Sequence, residues 1–132
     1  MSNRDPLVLV VEDNPLIRMG ALRFLVDAGF EALEANSADE AIRILEARFD
    51  IHLVFMDVGM PGTMDGIKLA HYIRDRWPPV KLIVASGKTI TDDTILPAGA
   101  KFFPKPYCES TIVAAMIGMV TDANRRQLSP RI

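Results

Sequence analysis

Hydrophobic positions along the chain fall into two kinds of run. Short, nearly continuous apolar stretches, "LVLVV" (7–11), "IHLVFM" (51–56) and "VKLIVAS" (80–86), are made mainly of Val, Leu, Ile and Phe. Runs of this length and composition predict strands buried on both faces. Between them lie longer segments whose apolar residues recur every three to four positions, the spacing of a helix with one face inward. In "PLIRMGALRFLVDAGF" (15–30), Leu16, Met19, Leu22, Leu25 and Val26 form the predicted inward stripe, with Pro15 suited to the first turn and Gly29 to the stop. "SADEAIRILEARF" (37–49) opens with Ser37 and Glu40 at capping-box spacing, and Ala38, Ala41, Ile42 and Leu45 share a face. "DGIKLAHYIRDRW" (65–77) is a helix ended by Pro78 and Pro79, and "ESTIVAAMIGMVTDANRR" (109–126) is a last helix that aligns Ile112, Met116, Met119 and Val120. "EALEA" (31–35), which alternates weakly, and the short "AKFF" (100–103) complete the set as strands. The segment 87–99, "GKTITDDTILPAG", should carry a helix between the fourth and fifth strands. Its β-branched residues, with Pro97 and Gly99 closing it, limit that helix to about two turns.

Strands alternating with helices imply a parallel sheet covered on both faces. Five such units fit a flavodoxin-like, doubly wound α/β fold with strand order 2-1-3-4-5. The length of 132 residues suits one domain, read as 1–121, followed by a polar tail, 122–132, read as a frayed end.

Composition narrows the function classes. Hydrophobic residues make up 49% and charged residues 24%, with a formal net charge of −2, so there is no clustered positive charge for a sequence-independent grip on nucleic acid. The apolar core of the start, Leu7 to Val11, is too short for a signal peptide, and no stretch approaches the length of a membrane span. Cys108 is the only cysteine, so no intramolecular disulfide forms, as suits a reducing cytoplasm. The expectation is a cytoplasmic protein without nucleic-acid or membrane partners.

In an open parallel sheet, ligands bind beyond the carboxyl ends of the strands. There the first strand ends in Glu12 and Asp13, the third in Asp57 and the fourth in Ser86, and the fifth leads to Lys105. With the first and third strands adjacent, about 5 Å apart, three carboxylates converge on one edge. Their mutual repulsion calls for a proton or a cation among them. Oxygen ligands without His or Cys favour Mg²⁺ over zinc. Lys105 would add a fixed positive charge and Ser86 a hydroxyl, a set able to hold a phosphoryl group against Asp57.

Four blocks, "VLVVEDNP" (8–15), "FMDVGMPGTMDG" (55–66), "IVASG" (83–87) and "GAKFFPKPY" (99–107), resemble the receiver domain of two-component response regulators in content, order and spacing. The resemblance implies that Asp57 accepts a phosphoryl group from a phosphohistidine on a sensor or hybrid histidine kinase or a phosphotransfer protein. It implies Glu12, Asp13, Asp57 and the Gly59 carbonyl as Mg²⁺ ligands, Ser86 as the switch hydroxyl, Lys105 as its partner at the phosphoryl group, and Phe102 as the switch aromatic. It also implies a cis Lys105–Pro106 bond. Such a domain is a signalling module that catalyses only its own phosphorylation and dephosphorylation, and it acts on a downstream protein target.

The chain departs from the commonest receiver pattern in three places. Gly62-Thr63-Met64 makes one loop a residue longer, resembling stand-alone receivers of alphaproteobacteria; segment 87–99 is short; and Phe102 stands where Tyr is common. With no room for a DNA-binding output module, a single-domain regulator signalling by protein contact is expected. Two rival readings are a Mg²⁺-dependent aspartyl-phosphate phosphohydrolase and a receiver-shaped scaffold that is never phosphorylated. The first lacks an acid two residues after Asp57, where Gly59 stands, and the full set of five site residues argues against the second. "SGKT" (86–89) imitates the end of a phosphate loop, but position 82, where that motif needs Gly, is Leu. Singly, the site residues have plainer readings: Asp57 as a turn residue, Glu12 or Asp13 as a cap of the first helix (a role that Asn14 also fits), Ser86 as a loop hydroxyl, Lys105 as surface charge, and Phe102 or Phe103 as core. Outside the site, His52 and His71 read as surface or packing residues and Cys108 as an inert N-cap.

Overall fold

The computed structural model describes residues 6–57, 63–87 and 96–128, with the side chains at 57, 63–65 and 122–128 outside that description. Five strands, β1 (Leu7–Val11), β2 (Glu31–Ala35), β3 (Leu53–Asp57), β4 (Lys81–Ser86) and β5 (Lys101–Pro104), alternate with helices α1 (Pro15–Asp27), α2 (Ala38–Ala47) and α3 (Thr63–Arg76), and α4 (Glu109–Leu128) closes the chain. The strands form one parallel sheet in the order β2-β1-β3-β4-β5, the predicted doubly wound α/β topology. The weakly patterned 31–35 is a full strand, because every one of its residues pairs with β1. The helix expected within 87–99 falls largely on 88–95, outside the described residues; 96–100 forms a turn in which Gly99 takes a φ of +87°.

Alternation along the strands builds two cores. Leu7 and Leu9 face Ala41, Leu45, Leu69 and Ile73 of α2 and α3, while Val8 and Val10 face Ala21, Leu25, Ile112 and Met116 of α1 and α4. Burial of the central strands on both sides explains why their sequences carry no polar face.

Local signals end the helices as their chemistry dictates. Asn14 Oδ1 accepts from the backbone N–H groups of Leu16 and Ile17, satisfying two of the donors left over at the start of α1. After α1 the chain reverses at Gly29, whose φ of +100° suits a residue without a Cβ. Ser37 Oγ accepts from the Glu40 N–H at 3.1 Å, as the capping box requires. The return arm differs from that box: Glu40 Oε1 takes the N–H of Asn36, one residue earlier than the cap itself.

Two expectations are corrected. The inward face of α1 is Ala21, Phe24 and Leu25, with Leu22 partly buried, whereas Leu16, Met19 and Val26 are 77%, 63% and 57% exposed. Apolar residues surround most of this helix, so periodicity alone did not define a face. Phe24 decides it, packing edge-on against Phe55 with ring centroids 6.3 Å apart. The last helix runs to Leu128 and so takes in much of the segment read as a frayed tail.

Candidate functional site

The carboxyl ends of β1, β3, β4 and β5 lie side by side. The pairing of Val11 with Met56 puts the next positions, Glu12 and Asp57, at the ends of adjacent strands, and Asp57 is itself paired with Ala85. Parallel neighbours are about 4.8 Å apart, so the topology brings the predicted acids to one edge.

Glu12 is only 5% exposed, and its Oε2 accepts from the N–H of Asn14 at 2.8 Å. A buried carboxylate requires such partners or a cation. Asp13, next in the chain, is exposed. Among the described residues no three His, Cys, Asp or Glu side chains gather closely enough to hold a metal. The Asp57 side chain and the whole of Gly59 lie outside that description. The two acids that are described are hard oxygen donors, with no imidazole or thiolate predicted on this edge. That donor chemistry fits Mg²⁺.

Across β3, Ser86 ends β4 with 1% exposure, a hydroxyl buried at the rim of the sheet. The N–H of Lys105 donates to the Ser86 carbonyl at 2.8 Å, which places the half-buried lysine directly after β5. The Lys105–Pro106 peptide is cis, as the resemblance implies. Tyr107 then packs edge-on against Phe24 and Phe55 at 6.2 and 6.0 Å, anchoring the chain just beyond the lysine. Phe102 and Phe103 point to opposite faces of the sheet, each half-buried, Phe102 against the α2/α3 core and Phe103 against the α1/α4 core.

This strand-end arrangement and these four sequence blocks meet in one family. A model of the response regulator receiver domain matches residues 8–117. The chain belongs to the response regulator receiver domain family. Receiver domains are signalling domains of two-component systems, and they typically use Mg²⁺. Among curated relatives, sensor kinase CckA of Brucella abortus is 41% identical over 76% of this chain, and the hydrogenase transcriptional regulatory protein HoxA of Cupriavidus necator is 39% identical over 72%. The chain spans only 11% and 19% of those two proteins. The receiver domain of hybrid histidine kinase CckA superposes with a TM-score of 0.70 at 31% identity, covering 86% of this chain and 98% of that one. A CheY-like receiver domain protein from Methanospirillum hungatei shares the fold, with a TM-score of 0.81 at 22% identity over 92% of this chain and 98% of that one.

Two features were not read from the sequence pattern. Arg18 reaches from α1 to the backbone of Glu12. Cys108, expected to be inert, is exposed before α4, and its thiol is lowered to about 7 by hydrogen bonds from the Ser110 hydroxyl and from the backbone N–H groups of Thr111 and Ser110. A capping Ser, Thr, Asn or Asp is a familiar signal; Cys in that place is a weaker one.

Proposed function

We propose that this chain accepts a phosphoryl group on Asp57 from the phosphohistidine of a sensor or hybrid histidine kinase or a phosphotransfer protein. An Asp57 carboxylate oxygen attacks phosphorus, the P–N bond breaks, and its electron pair returns to the departing imidazole. The Lys105 ammonium and the Ser86 hydroxyl meet the phosphoryl oxygens, offsetting charge that builds as the bond changes hands. Glu12 and Asp13, with Asp57 and the Gly59 carbonyl, would hold Mg²⁺, which would supply positive charge to neutralise the phosphoryl group. Ser86 and Phe102 then serve as the switch pair, and the signal passes in the cytoplasm by contact with a downstream protein.

The observation that carries this reading is the strand order β2-β1-β3-β4-β5, which lines up the ends bearing Glu12, Asp57, Ser86 and Lys105. Family membership and the likeness to the CckA receiver support it. The test is labelling with acetyl phosphate or phosphoramidate, and capture of beryllofluoride, with and without Mg²⁺. Uptake that needs Mg²⁺ and disappears in Asp57→Asn is expected, since an amide is neither nucleophile nor metal anchor. Undiminished labelling of Asp57→Asn at another residue would overturn the assignment.

A further inference from the structure

The turn between β1 and α1 is held from behind by Arg18, whose side chain is 17% exposed. Its Nη1 donates to the backbone carbonyl of Glu12 at 2.8 Å, and its Nε donates to Glu34 Oε1 on β2 at 2.7 Å. The Glu12 N–H is separately held by the Ala35 carbonyl at 3.0 Å. Both backbone polar groups of Glu12 are therefore fixed, one by β2 and one by the guanidinium.

The carbonyl that Arg18 holds belongs to the peptide group joining Glu12 to Asp13. That group is planar, so fixing its oxygen also fixes the direction of the Asp13 N–H and the start of the Asp13 backbone. Asp13 is exposed, and among the described residues its carboxylate makes no hydrogen bond or ion pair. Its aim must come from its backbone. Glu34 meets the guanidinium charge at close range, so Arg18 acts on the turn through geometry more than through net charge. A planar fork can serve a carbonyl and a carboxylate in two fixed directions at once; a lysine ammonium has no such fork.

We infer that Arg18 is a positioning residue for the Mg²⁺ edge: by holding the Glu12–Asp13 peptide plane it aims the Asp13 carboxylate at the cation. The inference rests on the reading of that edge as a Mg²⁺ site. Partners behind metal ligands typically change metal affinity by about 10–100-fold when removed, and one that acts through the backbone belongs near the lower end.

The experiment is a Mg²⁺ titration followed by backbone amide NMR shifts, run on the full chain at a temperature where circular dichroism shows each variant folded. Arg18→Gln should weaken Mg²⁺ about tenfold and shift the Asp13 amide resonance before any metal is added. Arg18→Lys should show a smaller loss. In an Asp13→Asn background, Arg18→Gln should cost nothing further, because the residue through which it acts is already disabled. Wild-type affinity in folded Arg18→Gln would overturn the inference, as would an equal loss in both backgrounds, which marks general loosening. If Arg18→Gln does not fold, Arg18→Lys decides: wild-type affinity there overturns the inference. Absence of Mg²⁺ binding by the wild-type chain is a different result, since it removes the underlying reading and this inference with it.

Discussion

The backbone N–H of Lys105 donates to the carbonyl of Ser86 over 2.8 Å, latching the end of β5 to the end of β4. Two residues that act on the same ligand in the proposed reaction are thus tied through main chain. Their spacing does not depend on how either side chain rotates. Tyr107 supplies the second fixed point, wedged against Phe24 and Phe55 on the far side of Pro106.

Removing that wedge should loosen the lysine without touching it. Tyr107→Ala is expected to cost about 2–3 kcal/mol, below the 3–5 typical of a fully buried aromatic because the ring is half-buried. Phosphodonor labelling of the folded variant should slow as well. Urea unfolding and a labelling time course check the two effects. Wild-type labelling would mean that the Ser86 latch alone places Lys105.

Much of this architecture is legible in the residue pattern, for a physical reason. Strands buried on both faces must be continuously apolar, so 7–11 and 80–86 declared themselves, and the topology then placed Glu12, Asp57, Ser86 and Lys105 on one edge. Backbone pairing made 31–35 a strand although its side chains alternate only weakly. The face of α1 was misread because apolar residues lie on both its sides, and only the tertiary contact of Phe24 with Phe55 chooses between them. Arg18 was invisible for a similar reason. Its role comes from a contact with a carbonyl six residues earlier and a carboxylate sixteen residues later, neither of which a motif records.

The corrected face of α1 makes a direct stability contrast. Phe24, 8% exposed, should cost about 3–5 kcal/mol when cut to Ala, by lost burial and the cavity left behind. Leu16→Ser and Met19→Ser, at 77% and 63% exposure, should change stability by no more than about 0.5 kcal/mol. Chemical denaturation of the three variants decides it. A loss of several kcal/mol at Leu16 or Met19 would restore the face that periodicity suggested.

Cys108 should report its surroundings through pH. The Ser110 hydroxyl and the backbone N–H groups after it favour the thiolate, which lowers the thiol from its ordinary 9.0 to about 7. Below that value the thiol is protonated and a poor nucleophile; above it the thiolate predominates. Iodoacetamide alkylation should therefore reach half its limiting rate near pH 7. Ser110→Ala removes the largest contribution, and its midpoint should move upward. A midpoint that stays put would mean the backbone groups alone hold the thiolate.

At the opposite end of the sheet, His52 completes the ladder with a ring nitrogen in place of a carbonyl. Its own N–H donates to the Leu7 carbonyl at 2.9 Å, and the Leu7 N–H donates to Nδ1 of the His52 ring at 3.1 Å. A ring nitrogen that accepts a hydrogen bond carries no hydrogen of its own, so this contact calls for the tautomer with its hydrogen on Nε2. Nitrogen-15 NMR of the ring should show Nδ1 unprotonated and Nε2 protonated in the folded protein. His52→Ala should leave the Leu7 N–H without this partner and cost about 1 kcal/mol. His52→Asn, whose Oδ1 can stand near the place of Nδ1, should recover part of that loss. An Nδ1-protonated ring at neutral pH would show that Leu7 is held by something other than His52.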